Sequence, residues 1–213
     1  MVLDVNETLF SLDALDAVFE ERRLPGGRDL WFARTLRNGF ALTSAGEYRS
    51  FPEVAAAAFL SLAPDRLGPD DSQALMRSFG QLSPHPEVPA ALERLRDRGT
   101  PVVTLSVGNA RNVEALFERA GMGDLVTRHL SCEDVRVWKP APEPYLHACR
   151  ELGTEPESTW MIAAHAWDLA GARAVGMRTA WLSRLEGHLD PNFGRPDVIG
   201  ADLEDVVGRL LDG

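Results

Sequence analysis

The stretch Val2-Leu3-Asp4-Val5-Asn6-Glu7-Thr8-Leu9 joins a short apolar run to an acid, a small polar residue and a hydroxyl. A strand this short and apolar suits the buried centre of a parallel sheet, where helices cover both faces. Ligands of such sheets bind outside the carboxyl ends of the strands, so an acid that ends the strand faces the ligand crevice. We therefore interpret Asp4 as a candidate nucleophile. The alternative is that Asp4 only caps a helix or closes a turn.

From Val88 onward, amphipathic helical patterns alternate with short apolar runs. The patterns predict helices over 88–98, 110–120, 144–152, 168–175 and 203–211, and strands over 101–105, 126–130, 160–164 and 179–182. Such repetition of strand and helix requires right-handed crossovers and a parallel sheet. The sequence therefore predicts an α/β protein with a Rossmann-like parallel sheet core and helices on both faces.

Residues 11–82 carry helical patterns without a strand between them. Apolar residues recur at helical spacing over 12–23, 30–42, 52–62 and 71–79. The proline-rich stretch 82–86 is typical of a linker that returns to the core. We therefore predict a helical cap, residues 11–82, inserted after the first strand of a core formed by residues 1–10 and 83–213.

The composition excludes several classes of function. The 213 residues are 45% hydrophobic and 25% charged, as in an ordinary soluble globular protein that buries a core. A formal net charge of -10 argues against nucleic acid or an anionic membrane as a partner, because phosphates are held by clustered Lys and Arg. The apolar runs are too short to span a bilayer and no signal segment is evident, so we expect a cytoplasmic protein. Cys132 and Cys149 lack metal-site spacing and are expected to be ordinary buried thiols.

Four polar residues are expected to meet at the ligand edge of the sheet. Asp4 ends the first strand, Ser106 follows a later strand, and Asp168 lies just past another. Lys139 precedes a predicted helix. Each has a simpler explanation, as a cap serine, a solvated lysine or a first-turn acid. Because a nucleophile, a hydroxyl, a cation and a second acid converge from four places, we favour a catalytic site.

Four segments resemble, in order, the four motifs of the haloacid dehalogenase superfamily. The segments are Asp4-Val5-Asn6-Glu7-Thr8-Leu9, Thr104-Leu105-Ser106-Val107-Gly108, Trp138-Lys139-Pro140-Ala141-Pro142 with Tyr145, and Ala164-His165-Ala166-Trp167-Asp168-Leu169-Ala170-Gly171-Ala172. The last two look most like the branch of type II, or (S)-, 2-haloacid dehalogenases. The resemblance covers essentially the whole chain, and it implies a hydrolase that cleaves the carbon–halogen bond of a small 2-haloalkanoic acid.

The resemblance also implies how such an enzyme would work. Asp4 would attack the halogen-bearing carbon and expel halide, and water would then hydrolyse the aspartyl ester. Lys139 would keep the carboxylate ionised by lowering its pKa. Ser106 and Thr8 would orient the attacking oxygen by hydrogen bonds. Asp168, with Lys139 beside it, would orient or activate the water.

A magnesium-dependent phosphatase of small phosphate esters is the alternative within the same superfamily. Those phosphatases usually carry a second Asp two residues after the nucleophile, where this chain has Asn6. Their fourth motif commonly carries paired acids, whereas Ala164 stands here where the first would fall and only Asp168 remains. Magnesium favours carboxylate oxygens, so the loss of an acid weakens such a site. We therefore expect neither a metal nor an organic cofactor.

The expected substrate pocket departs from the dehalogenase pattern. Asn6 replaces a frequent Tyr, Val107 replaces an Asn that has Asn109 nearby, and His165 stands where Asn is common. Phe32 stands where the resemblance implies a cap arginine that accepts the halide. The residues that we expect to contact the substrate are Asn6, Thr8, Phe32, Val107, Asn109, Tyr145, His165 and Trp167.

The missing cap arginine leaves a third alternative from a different class. In that alternative the chain is a catalytically impaired relative that binds a small acid, or a protein partner, through its cap. Arg34 and Arg37 neighbour Phe32 on the same predicted helix, but both suit positions that face solvent. The apolar residues of the cap fit either its own core or a homodimer contact.

Overall fold

A parallel sheet forms the centre of the molecule. The computed structural model describes residues 1–24 and 26–212, and its strands are β1 (Val2–Leu3), β2 (Phe10–Ser11), β3 (Ser83–Pro84), β4 (Val103–Ser106), β5 (Arg128–Ser131), β6 (Trp160–Ala163), β7 (Arg178–Leu182) and β8 (Val198–Gly200). Six of these strands hydrogen-bond in the order β5-β4-β1-β6-β7-β8, and each neighbouring pair is parallel. The strand that ends before Asp4 therefore lies inside the sheet, between β4 and β6, as its apolar composition predicts.

Helices connect the strands and cover both faces of the sheet. They are α1 (Asp16–Glu21), α2 (Gly27–Ser44), α3 (Phe51–Leu60), α4 (Pro69–Phe79), α5 (Val88–Asp97), α6 (Ala110–Arg119), α7 (Cys132–Val135), α8 (Pro142–Leu152), α9 (Ala166–Ala174) and α10 (Leu203–Asp212). Successive strand residues point to opposite faces. Val2 accordingly packs in the apolar cluster that contains residues of α8 and α9, and Leu3 packs in the cluster that contains residues of α5 and α10. The predicted Rossmann-like α/β core is confirmed.

Helices α1 to α4 all lie between β2 and β3 in the chain. These two short strands pair antiparallel, with Phe10 opposite Pro84 and Ser11 opposite Ser83. The predicted linker 82–86 therefore contains a short strand. The strand has only two residues, one of them a proline, so the sequence shows no strand pattern there. The ladder holds the two ends of the helical segment together. We call residues 11–82 the cap segment; its division from a core of residues 1–10 and 83–213 stays a prediction.

Some elements were missed or shifted by sequence reasoning. Strand β8 was not predicted, because three residues at the sheet edge, one of them the exposed Ile199, give no alternation to detect. Helix α7 is only four residues long, and Ser131 caps it. The strand predicted over 126–130 begins later, at Arg128.

Two further expectations concern the thiols and the membrane. The thiols of Cys132 and Cys149 are free and buried, as predicted. Across the described residues, no helix has both the length and the apolar character needed to cross a bilayer.

Candidate active site

Asp4 lies at the carboxyl end of β1, in the middle of the sheet. Its backbone N–H donates to the Ile162 carbonyl at 3.0 Å, so it continues the pairing of β1 with β6 by one residue. Because side chains alternate, Asp4 points to the same face as Val2, toward α8 and α9. The residue is 7% exposed, so its carboxylate is largely withdrawn from solvent.

Lys139 lies fully buried between two carboxylates. Its Nζ atom is 3.0 Å from Oδ1 of Asp4 and 2.7 Å from Oδ2 of Asp168. An ammonium group without such partners would be too costly to bury. Lys139 is also the only lysine in the sequence. The structure therefore brings together three of the four residues that were predicted to converge.

Thr8 fixes the second oxygen of the nucleophile candidate. Its hydroxyl donates to Oδ2 of Asp4 at 2.7 Å and accepts from the Ala164 N–H at 2.9 Å. The turn that brings Thr8 back over the strand end places Glu7 in the left-handed region, with φ of 61°. The backbone of a non-glycine residue is strained there, which is common at functional sites. The sequence predicted an orienting role for Thr8 but gave no signal for the strain at Glu7.

The surroundings push the two buried carboxylates in opposite directions. Burial alone would raise the pKa of Asp4, but Lys139, His165 and Thr8 together hold that pKa well below its ordinary value. Burial raises the pKa of Asp168 above its ordinary value, because the charge of Asp4 adds to burial and the two outweigh Lys139. Burial lowers the pKa of Lys139, yet the two carboxylates raise it overall. At neutral pH Asp4 is therefore an ionised carboxylate, which is the state a nucleophile requires.

Tyr145 holds Asp168 from behind. The ring is fully buried, and its hydroxyl donates to Oδ1 of Asp168 at 2.6 Å. The substrate contact that the sequence predicted for Tyr145 stays a prediction; in the structure the side chain is fully buried and supports Asp168. Gly171 makes room for this ring, because a Cβ atom there would lie 2.6 Å from the Tyr145 hydroxyl and 2.7 Å from the Pro140 carbonyl.

Replacing Gly171 by Ala is expected to destabilise the protein by about 1–3 kcal/mol, since the new methyl overlaps a buried ring and a backbone carbonyl. The free energy of unfolding from chemical denaturation measures this effect. Gly208→Ala in α10 is the matched control, because the nearest atom to its new methyl is a flexible guanidinium nitrogen of Arg94 at 3.3 Å. That control is expected to be neutral or to stabilise by up to about 1 kcal/mol. Equal stabilities of the two variants would contradict the packing described for Tyr145.

Ser106 ends β4 next to Asp4 but does not bond to it. Its Oγ atom accepts from the Gly108 N–H at 2.9 Å, and within residues 1–24 and 26–212 it makes no hydrogen bond to the Asp4 carboxylate. The orienting contact that the sequence predicted for Ser106 is therefore not made in this structure. The Ser106 hydroxyl keeps its own proton free to donate to a ligand.

A cavity of about 90 Å³ lies between the core and the cap segment beside Ser106. Phe51 and Phe79 of the cap segment form an apolar wall of this cavity. Asn6 and Asn112 line it with side-chain amides on the core side. Asn112 was missed by sequence reasoning, because a polar residue in the first turn of a helix carries no distinguishing pattern. The cavity joins an apolar surface to a few polar groups, which is typical of small-molecule sites.

Val107 and Asn109 contribute less to this cavity than predicted. Val107 is buried in the apolar core. Asn109 lines the cavity, but its Oδ1 accepts from the Arg111 N–H at 2.9 Å and its Nδ2 donates to Glu133 at 2.6 Å. One polar atom of Asn109 thus caps α6, and the other binds Glu133.

The cap segment places aromatic rings against His165 and Trp167. Phe32 of α2 lies with its ring centroid 5.9 Å from that of His165. Arg34 donates to the Ser61 carbonyl at 3.1 Å, and Arg37 donates to Asn38 at 3.0 Å. Both guanidinium groups therefore form hydrogen bonds within the cap segment.

His165 and Trp167 each carry a buried nitrogen that makes no hydrogen bond within the described part of the chain. Nδ1 of His165 is 3.6 Å from Oδ2 of Asp4, and neither this atom nor Nε1 of Trp167 has a hydrogen-bond partner among the described residues. The two rings are 5.6 Å apart, and Phe40 lies 5.0 Å from Trp167. Burial lowers the pKa of His165, but the charge of Asp4 raises it overall above 6.5.

The donor set at this edge of the sheet does not suit a hard divalent cation. Within the described residues, no group of three or more His, Cys, Asp and Glu side chains is placed to hold a metal ion. The ammonium group of Lys139 bridges the two nearest carboxylates. Asn6 and Ala164 contribute no carboxylate where a magnesium site would need one.

Residues 2–176 match the family model described as haloacid dehalogenase-like hydrolase. The (S)-2-haloacid dehalogenase 4A of Burkholderia cepacia is 31% identical over 161 residues, which cover 73% of this chain and 68% of that protein. The (S)-2-haloacid dehalogenase 2 of Pseudomonas sp. (strain CBS-3) is 28% identical over 184 residues, covering 85% and 80% of the two chains. The crystal structure of the L-2-haloacid dehalogenase RSc1362 matches with a TM-score of 0.92 and 29% identity, over 100% of this chain and 97% of that chain.

Proposed function

We propose that this chain, which belongs to the family of haloacid dehalogenase-like hydrolases, is a 2-haloacid dehalogenase that hydrolyses the carbon–halogen bond of a small 2-haloalkanoic acid. One observation carries the proposal. The ionised Asp4 carboxylate is held on one oxygen by Lys139 at 3.0 Å and on the other by Thr8 at 2.7 Å, at the carboxyl end of the central strand. A carboxylate fixed in this way is preorganised to attack carbon.

The proposed reaction has two steps. In the first, an oxygen of Asp4 forms a bond to C2 of the substrate while the carbon–halogen bond breaks, and halide leaves with the electron pair. In the second, water attacks the ester carbonyl, which releases the 2-hydroxy acid and a proton and restores Asp4. The single substitution at C2 inverts its configuration.

The surrounding residues take separate parts in this scheme. Lys139 keeps Asp4 ionised, and Thr8 orients its second oxygen. Asp168 is the more basic of the two carboxylates, because its pKa is raised while that of Asp4 is lowered, so it is the group suited to accept a proton from the attacking water. Tyr145 positions Asp168 through its hydroxyl.

The cavity beside Ser106 supports a small acid as the substrate. The Ser106 hydroxyl and the amides of Asn6 and Asn112 line the core side and suit the substrate carboxylate. Phe51 and Phe79 suit its short alkyl chain. The donor set supports a reaction without a metal. The cytoplasmic location and the homodimer stay predictions from the sequence.

A panel of release assays tests the proposed activity. We expect halide release from chloro-, bromo- and fluoroacetate or from the 2-halopropionates, and we expect a chelator to leave the rate unchanged. A parallel panel of small phosphate esters with added magnesium tests the phosphatase alternative. Magnesium-dependent phosphate release without halide release would overturn the proposal, and inactivity in both panels would favour the binding relative.

A further inference from the structure

We propose that Trp138 is a positioning residue that links Lys139 to the cap segment, so that the position of the cap segment determines the position of the ammonium group. The inference rests on the proposed function, because it concerns the cation that keeps the Asp4 nucleophile ionised. Its basis is that Trp138 directly precedes Lys139 in the chain and is fully buried against residues of the cap segment.

The cap segment contacts Trp138 at both its main chain and its ring. The Trp138 backbone N–H donates to Oγ1 of Thr43 at 3.2 Å, and the indole N–H donates to the Arg49 carbonyl at 2.8 Å. The ring centroid of Phe51 lies 6.0 Å from that of Trp138. Residues of α2, of α3 and of the connection between these helices therefore hold the residue that precedes Lys139.

The Trp138 ring packs directly on the backbone of α2. A Cβ atom at Gly39 would lie 2.5 Å from Cδ2 and from Cζ3 of the indole, so any larger side chain there would overlap the ring. Close-packed interiors transmit a displacement instead of absorbing it. A movement of α2 toward the indole therefore moves Trp138 as well.

The segment before Trp138 is attached to the cap segment too. Arg136 ends α7 in the left-handed region, with φ of 53°, where a non-glycine backbone is strained. Its guanidinium carbon lies 4.9 Å from the ring centroid of Tyr48, which stacks a cation on an aromatic face. The chain is thus held against the cap segment two residues before the indole and again at the indole.

Lys139 tolerates little displacement. Its Nζ atom is 3.0 Å from Asp4 and 2.7 Å from Asp168, and such hydrogen bonds extend only to about 3.2 Å. The peptide unit that joins Trp138 to Lys139 is planar and stiff, so a shift of the indole reaches the lysine backbone. A shift of about 1 Å is enough to misplace a reacting group.

Helix α2 contacts both sides of the site. Phe32 and Phe40 of this helix lie against the two aromatic rings at the start of α9, and Gly39 lies against Trp138. One movement of α2 would therefore uncover the site and withdraw Lys139 together. Asp4 is held as an ionised nucleophile only while the cap segment is in place.

Gly39→Ala tests the inference from the cap side, because its methyl pushes on Trp138 and touches no residue of the site. Lys139 is the only lysine, so lysine labelled with ¹³C at Cε gives a single side-chain NMR signal. We expect this signal to move in Gly39→Ala. We also expect kcat/KM for halide release at about pH 7 to fall about 10- to 100-fold, the cost of a misplaced group.

The pH profile of kcat/KM supplies a readout that simple loss of stability would not move. A displaced Lys139 opposes the burial of Asp4 less, so the pKa of Asp4 rises and the acid limb moves to higher pH. The titratable groups around this pair are Cys132, Tyr145, His165 and Asp168, and Gly39→Ala changes none of them directly.

Gly68→Ala is the matched control, because a methyl there has no atom within 4 Å and should leave the Lys139 signal and the acid limb unchanged. Trp138→Phe removes the ring atoms that the Gly39 methyl overlaps, so the double variant should return both readouts toward those of Trp138→Phe alone. Thr43→Val is a milder second variant, since it removes only the hydroxyl that accepts from the Trp138 N–H, and it should move both readouts in the same direction.

Two results would overturn the positioning role. One is a Gly39→Ala protein that is less stable while its Lys139 signal and acid limb match the wild type. The other is the same loss in Gly39→Ala with and without Trp138→Phe. The NMR measurement needs no turnover, so a moved Lys139 signal in a chain whose wild type releases no halide would refute the proposed function and leave the positioning role standing.

Discussion

Replacing Asp4 by Asn is expected to abolish halide release, with a fall in kcat of at least about 10⁴-fold. An amide has no anionic oxygen to attack carbon, and the covalent route is lost with it. The variant should still fold, because the amide matches the carboxylate in shape and Lys139 keeps its contact with Asp168 at 2.7 Å. The measurement is halide release under saturating substrate, together with thermal unfolding to show that the fold is intact.

Asp65→Asn is the control for this variant, since Asp65 is an exposed acid of the cap segment and should keep full activity. A second measurement addresses the ester directly. In water labelled with heavy oxygen, the wild-type peptide that contains Asp4 should gain the label during turnover, because water attacks the aspartyl carbonyl. Substantial activity in Asp4→Asn, or label found only in the product, would identify water as the direct nucleophile.

Replacing Lys139 by Met should damage stability as well as activity. Methionine keeps an unbranched chain of similar shape, one atom shorter than lysine, but leaves two buried carboxylates without a cation, which costs about 3–5 kcal/mol. The pKa of Asp4 would then rise, because burial would no longer be opposed by Lys139. A protonated Asp4 is a poor nucleophile, so we expect halide release to be nearly lost.

The pH dependence of Lys139→Met has a definite sign. In the wild type the lowered pKa of Asp4 contributes stability above its unfolded value of about 3.9, and that contribution is lost as the pH falls through the folded value. In Lys139→Met the pKa of Asp4 is raised, so the charged carboxylate destabilises the folded protein at high pH. Protonation of Asp4 at lower pH removes this buried charge. The difference in unfolding free energy should therefore be larger at about pH 7 than at about pH 5.

Arg96→Met provides the matched loss of a cation, from an exposed pair with Asp97. Exposed pairs contribute at most about 1 kcal/mol, so this control should be nearly as stable as the wild type at both pH values. If Lys139→Met were equally stable, the buried ammonium group would not be holding the carboxylates together.

The convergence of Asp4, Lys139 and Asp168 was within reach of the sequence. Parallel strands present their carboxyl ends at one edge of the sheet, so Asp4 and Asp168, which follow predicted strands, were expected to meet there. Lys139, which precedes a predicted helix, was expected beside them. The resemblance of four ordered motifs added Thr8 and the reaction type. These inferences depend on residue order and strand polarity, which a single sequence carries.

Other parts of the site depend on contacts that residue order does not encode. Tyr145 could not be distinguished from a pocket wall until its hydroxyl was seen to donate to Asp168. Which ring nitrogens of His165 and Trp167 make no hydrogen bond within the described residues depends on the position of every nearby carbonyl. Ser106 kept its predicted location at the end of β4, but among the described residues it forms no hydrogen bond with Asp4. Hydrogen-bond partners are set by packing in three dimensions, and periodicity says nothing of them.

The solitary lysine gives the protein an unusual chemical handle. Lys139 is one of 22 Lys and Arg residues, and the other 21 are arginine. An amine-directed reagent therefore finds no side-chain target on the folded surface, because the one ε-amino group is fully buried and held by two carboxylates. Lys139 can be acylated only when the centre of the site opens to solvent. The rate of acylation therefore measures the local opening of the site without any introduced probe.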